Sequence, residues 1–201
     1  LRSSSDPPLR GYTFEPIGLF SSCFREKFGT PRQGSLVPRS RGSLTLRADL
    51  DASCLDGLQD FSHAWIIFVF HNNSSNGGDE AAAEPSSART KARPPKLEGG
   101  GAVGVLASRS PHRLNPIGIT VARVAGVHGA ARRVCFTGVD LVEGTPVLDV
   151  KPYHWADVVA AGELRVPTWV GARALPPLPP PPQQQMQAAA AVSYTHLTLP
   201  T

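Results

Sequence analysis

The sequence predicts an all-β fold, a barrel or a sandwich, on three observations. Its apolar residues fall in short runs, and Gly, Pro, Asn and Asp separate those runs at the spacing of strands joined by turns. Within ITVARV the side chains alternate, so Ile119, Val121 and the aliphatic stem of Arg123 share one face while Thr120, Ala122 and Val124 share the other. No long helical period competes with this pattern between Tyr12 and Tyr153.

Residues 1–10, LRSSSDPPLR, have turn formers and no apolar period, and read as a disordered lead-in. The domain then runs over residues 11–160, with strand candidates in the order YTFEPIGLF, GSLTLRA, AWIIFVF, AVGVLAS, IGITVARVAGV, RRVCFTGV and PVLDVKPY. Residues 72–98 are polar and of low complexity, and read as a flexible surface insertion whose AAAE makes at most one helical turn. From 175 the chain is LPPLPPPPQQQMQAAAA, the composition of a linker or disordered extension. The last ten residues, VSYTHLTLPT, follow no fold logic and read as artefactual.

The 201 residues suffice for one domain with a real core. The net charge is +4, but residues 1–47 hold eight Lys and Arg against three acids, an asymmetry that points to an anionic partner and equally fits a solvated basic face. Cys23, Cys54 and Cys135 stand far apart with no histidine at ligand spacing, so the chain offers neither a zinc site nor a disulfide framework. A reducing, intracellular and cytoplasmic setting follows. The chain begins at Leu1, so an upstream targeting peptide and an organellar or nuclear destination stay open. The longest apolar run, AWIIFVF at 64–70, is a strand's length and too short for a membrane span.

Two tempting motifs fail on context. GGGAVG at 99–104 matches the glycine pattern of a dinucleotide-binding turn, but ARPPKLE rather than a strand precedes it and Pro111 blocks a helix after it. FSHAW sets Ser62 beside His63, yet neighbours in a strand point to opposite faces and would not hydrogen-bond as nucleophile and base. His63 reads as a histidine at the core's edge. Three turn-rich polar loops are different in kind: FGTPRQG (28–34), SRSPHRLNPIG (108–118) and VDLVEGTPVLDVKPY (139–153). Prolines fix their φ angles, and together they present a mixed-charge set suited to a polar, zwitterionic ligand.

PRQ at 31–33, GLQDFSHAWIIFVFH at 57–71, RSPHRLNPIG at 109–118 and GVDLVEGTPVLDVKPY at 138–153 resemble, in order, the motifs of the TrmO, or TsaA-like, tRNA methyltransferases. The resemblance covers roughly residues 14–155 and implies a small β-barrel. It also implies an activity: S-adenosyl-L-methionine-dependent N6-methylation of the threonylcarbamoyl-modified adenosine at position 37 of threonine tRNA, by a homodimer without a metal. Donor-pocket residues carried over from the family are Pro31, Arg32, Gln33, His71, Asn72, Arg109, Ile119, Asp140, Leu141, Val142 and Glu143. Leu114 departs from the pattern, since RLNP stands where RPNP is usual. A non-catalytic barrel of the same ancestry, holding S-adenosyl-L-methionine or RNA without turnover, is the alternative.

A sulfonium methyl is already activated, so the protein's task is alignment and a route for the N6 proton. Asp149, Lys151 and Tyr153 are candidates for positioning the base. An unpaired anticodon-loop nucleotide can be splayed out and stacked on an aromatic ring while cations track its phosphates. Arg25, Lys27, Arg39, Arg41, His112, Arg113 and Asn115 are the candidates for RNA contact, and Phe28, Tyr153 and Trp155 for stacking.

Overall fold

The computed structural model describes residues 11–73, 90–95, 97, 100–160 and 162–170. The lead-in at 1–10, the tail from 175 and most of the 72–98 insertion lie outside the described residues. Six strands close into a barrel: β1 (Gly18–Ser22), β2 (Arg41–Leu46), β3 (His63–Val69), β6 (Ile117–His128), β7 (Arg133–Thr137) and β8 (Thr145–Pro152), in the order β1-β2-β7-β6-β3-β8. Every pairing is antiparallel. A two-stranded ribbon of β4 (Lys91–Ala92) and β5 (Val103–Gly104) stands outside the barrel. Among the described residues the remaining regular structure is short 3-10 turns.

Alternation explains which residues turn inward. On β3 the burial follows a period of two, with Ala64, Ile66 and Phe68 inside, and on β6 Gly118, Thr120 and Ala122 lie inside while Ile119 and Arg123 face out. Phe20, Leu44, Val134, Phe136 and Val147 complete the interior, and Leu55, Val139 and Leu141 pack against it from the connections. Each such side chain contributes about 1.5–3 kcal/mol on burial. The barrel is narrow, so Phe68 fits only because β6 carries glycine opposite it: a Cβ at Gly118 would lie 2.3 Å from the Phe68 ring. Closure also needs bends, and the ladder shifts register between Val124 and Gly126 on β6 and between Ile67 and Phe68 on β3. The twelve-residue β6 thereby pairs with β3 along its first half and β7 along its second.

Two expected strands are shorter than the sequence suggests. YTFEPIGLF bonds its neighbours only from Ile17, whose amide donates to the Val147 carbonyl at 2.8 Å, and is a strand only from Gly18; Pro16, with no N–H for a ladder, stands just before. AVGVLAS keeps Val103–Gly104 in a ladder and then tightens into a 3-10 turn at Val105–Ala107. Conversely, Lys91–Ala92 lies inside the stretch expected to be an irregular insertion and forms β4, with the Val105 amide anchored on the Thr90 carbonyl at 2.9 Å.

The register sorts the connections into two ends. Ser22 pairs with Gly42, Arg41 with Thr137, Val69 with Ile117, and Phe20 with Thr145. The segments 23–40, 70–73, 105–116 and 138–144 therefore emerge at one rim of the barrel.

Candidate functional site

Three of the sequence motifs meet at that rim around Asp140. Ser40 holds the β7–β8 connection in place, its hydroxyl donating to the Val139 carbonyl and accepting from the Val139 amide, both at 2.8 Å. Gly34, which follows PRQ, packs so closely on GVD that a Cβ there would sit 1.9 Å from the Gly138 carbonyl oxygen. The Asp140 carboxyl is thus largely buried, and its Oδ1 is an inaccessible oxygen with no hydrogen-bond partner. Burial raises its pKa above the ordinary carboxylate range; the Thr120 hydroxyl, its own amide, the Gly34 amide and the charge of Arg109 act in the opposite direction. A buried acceptor without a donor is an incomplete arrangement, which a ligand N–H or O–H admitted to it would complete.

The loop RSPHRLNPIG is braced rather than free. Arg113 folds back, its guanidinium donating to the Ser108 carbonyl at 3.2 Å, and the Ser108 hydroxyl donates to the Val105 carbonyl at 2.9 Å. From the end of β3, the Asn73 amide donates to the Pro111 carbonyl at 2.7 Å. Asn73, and not the exposed Asn72, therefore ties this loop to the strand that ends in FH. Arg109, His112 and Asn115 remain exposed, while Arg113 is half-buried.

The other predicted donor residues take varied positions. Pro31 and His71 are half-buried, and Arg32 and Gln33 are exposed in the turn before Gly34. Leu141 is a core residue, so only its main chain is available at the rim. The Val142 carbonyl accepts from the Thr145 hydroxyl at 2.6 Å. Glu143 fastens β1 to the site: its carboxylate accepts from the Ser22 amide at 2.5 Å and its amide donates to the Phe24 carbonyl at 2.7 Å. Ile119 is 56% exposed on the outer face, whereas its neighbour Thr120 faces Asp140. Sequence reasoning named neither Thr120 nor Gly34 as a site residue; the alternation of ITVARV and the glycine after PRQ were the available signals.

The DVKPY candidates lie elsewhere. β8 starts at the rim with Thr145, and Asp149 is four residues further, about 13 Å along the strand. Lys151 pairs with Asp149 across 3.0 Å, and the Tyr153 ring lies 5.4 Å from Trp65. These side chains are not brought to Asp140 within one chain. Arg25, Lys27, Arg39 and Arg41 are exposed on or beside the β1–β2 connection, at the Asp140 rim.

One sequence expectation is corrected. The Ser62 hydroxyl and His63 Nδ1 lie 2.9 Å apart, in hydrogen-bond contact. The strand rule does not apply to them, because β3 begins at His63 and Ser62 belongs to the irregular approach. Burial, aided by the charge of Arg123 on the paired strand, lowers the His63 pKa. Among the described residues no three His, Cys, Asp or Glu side chains cluster as metal ligands, and no helix is long and apolar enough to cross a membrane.

Comparison with known proteins adds a sequence match to this geometry. The family model of the tRNA-methyltransferase O N-terminal domain matches residues 19–157. A Pseudomonas aeruginosa protein, RcsF, provisionally named an S-adenosylmethionine-dependent methyltransferase, is 44% identical over 151 residues, covering 74% of this chain and 60% of its own. The tRNA (adenine(37)-N6)-methyltransferase of Mus musculus is 45% identical over 142 residues, covering 69% of this chain and 30% of its own. The crystal structure of TrmO from Pseudomonas aeruginosa aligns with a TM-score of 0.57 and 38% identity, over 76% of this chain and 60% of that one. The chain spans between 30% and 60% of the length of these relatives.

Proposed function

The chain belongs to the tRNA-methyltransferase O N-terminal domain family, and on that footing we propose that it methylates N6 of adenosine 37 in tRNA, with S-adenosyl-L-methionine as donor. The relatives' names supply the class of reaction. The observation that carries the reading to particular residues is the unpartnered Oδ1 of Asp140, held between the PRQ turn, the ITVARV strand and Arg109. The donor has amino and hydroxyl groups to satisfy that oxygen and a carboxylate for an arginine, so the residues present fit it. When bound, the donor supplies an activated methyl group. The protein's own part is to orient: Asp140 accepts from the donor, Arg109 and Arg32 meet its carboxylate, and the main chain of 140–143 together with Gln33, His71 and Ile119 shapes the seat.

The finer substrate is the threonylcarbamoyl-modified adenosine of threonine tRNA, and the working form is a homodimer. Exposed Leu106, Leu114, Ile117 and Ile119 on and beside β6 support a second copy there. In that dimer Asp149, Lys151 and Tyr153 reach an acceptor only from the second copy, since each chain holds its own at the far part of β8.

The test is transfer of radiolabelled methyl to threonine tRNA that carries or lacks the threonylcarbamoyl group, comparing wild type with Arg109→Ala. Label is expected at adenosine 37 of the modified tRNA, falling at least about tenfold in the variant through loss of a charge-assisted contact worth roughly 1.5–3 kcal/mol. Donor binding without any transfer would replace this reading with that of a binding module.

A further inference from the structure

We propose that the cleft beside Phe28 seats an unpaired nucleobase of the RNA acceptor, stacked on the Phe28 ring; this rests on the tRNA reading above and adds a substrate-positioning residue to it. The cleft is shallow and open, about 340 Å³, and is formed by residues 23–26 with Phe28 and Gly29. Phe28 is 82% exposed, so core packing does not account for an aromatic ring there. Its loop is preformed: the Thr30 hydroxyl donates to the Glu26 carbonyl at 2.5 Å, and Gly29, with φ of 84°, turns the chain directly into PRQ.

Position and charge choose the occupant. The cleft shares a wall with the Asp140 rim, because Glu143 bonds both the Ser22 amide and the Phe24 carbonyl three residues beyond Asp140. The connection 23–40 carries Arg25, Lys27, Arg32 and Arg39 against Glu26 alone, and none of these forms an ion pair among the described residues. That excess suits a phosphodiester chain passing over the loop. Glu26 lines the cleft itself and repels phosphate, while its carboxylate can accept from the edge of a base; the ring and not the backbone enters. The Lys27 ammonium lies 5.8 Å from the Phe28 centroid, above the ring and within reach of a flanking phosphate. Stacking on Phe28 is indifferent to base identity, so it places the nucleotide and leaves recognition to the rim.

The rival surface is Trp155, 78% exposed and beyond the far end of β8. The experiment uses the full chain and tRNA with 2-aminopurine at position 37 or a flanking position. Wild type is expected to quench the fluorescence. Phe28→Ala is expected to abolish the quenching and raise KM for tRNA about tenfold, with kcat and donor affinity within about twofold of wild type, and Phe28→Trp to restore both. Unchanged quenching and KM in Phe28→Ala, failure of tryptophan to restore them, or their loss in Trp155→Ala instead would overturn the proposal. Quenching that depends on Phe28 without methyl transfer would leave the stacking intact and sink only the methylation reading; no quenching by wild type sinks the stacking.

Discussion

Asp140 carries a cost that its neighbours relieve only in part. Its carboxyl pKa is raised by burial, so the stability it contributes is fully present below the ordinary carboxylate range, about pH 4, and is lost as pH rises through the raised value. Asp140→Asn removes that charge. Its melting temperature should exceed wild type's at pH 7, by on the order of 3 °C for ~1 kcal/mol, and the advantage should vanish near pH 4 while donor affinity falls at least about tenfold. A variant less stable than wild type at pH 7 would mean that the carboxylate is already satisfied. Such a residue is legible in sequence only as one polar member of DLVE; that it is buried, with one oxygen left without a partner, depends on its packing against Thr120 and Gly34, which come from distant parts of the chain. Ile119 shows the converse. Its alternation partner Thr120 faces Asp140, and the outward turn of Ile119 follows from which face of β6 the barrel closes on.

The strands themselves were the most readable elements, because period-two burial requires nothing but the local pattern, as in HAWIIFV and ITVARV. Their limits were harder: β1 is a strand only from Gly18, just past Pro16, and β4 exists only because Val103–Gly104 lies beside it. Ser62 and His63 mark the same boundary effect, where a rule valid within β3 fails one residue before it. The element that joins the site's parts is the turn from PRQ into Gly34–Leu36, and it depends on contact between two backbones. Gly34→Ala forces that contact open, since a Cβ 1.9 Å from the Gly138 oxygen must displace main chain. The variant should lose about 1–3 kcal/mol in chemical denaturation and bind the donor at least about tenfold more weakly, whereas an alanine at the solvent-facing Ser35 next to it should change neither appreciably. Equal effects at both positions would show that the turn tolerates displacement.

At the scale of the molecule, the basic charge of the N-terminal 47 residues maps in part onto the rim, where the β1–β2 connection carries its cations beside Asp140. The exposed Leu106, Leu114, Ile117 and Ile119 give the expected dimer a physical test. Sedimentation should show a dimer, and Ile117→Glu/Ile119→Glu should yield monomers with an unaltered far-ultraviolet spectrum; dimers that persist would place the interface on another face. The closed order β1-β2-β7-β6-β3-β8 bears on that assembly too, because a ring with no free edge cannot extend its sheet into a neighbour. The same ring has poles. The chain enters β1 at Gly18, opposite Leu46, and leaves β8 at Pro152, opposite Ala64, both away from the rim where Asp140 lies. Both ends of the barrel's chain thus leave at the pole opposite Asp140, and the Asp140 rim is built from internal connections alone, each tethered to a strand on both sides.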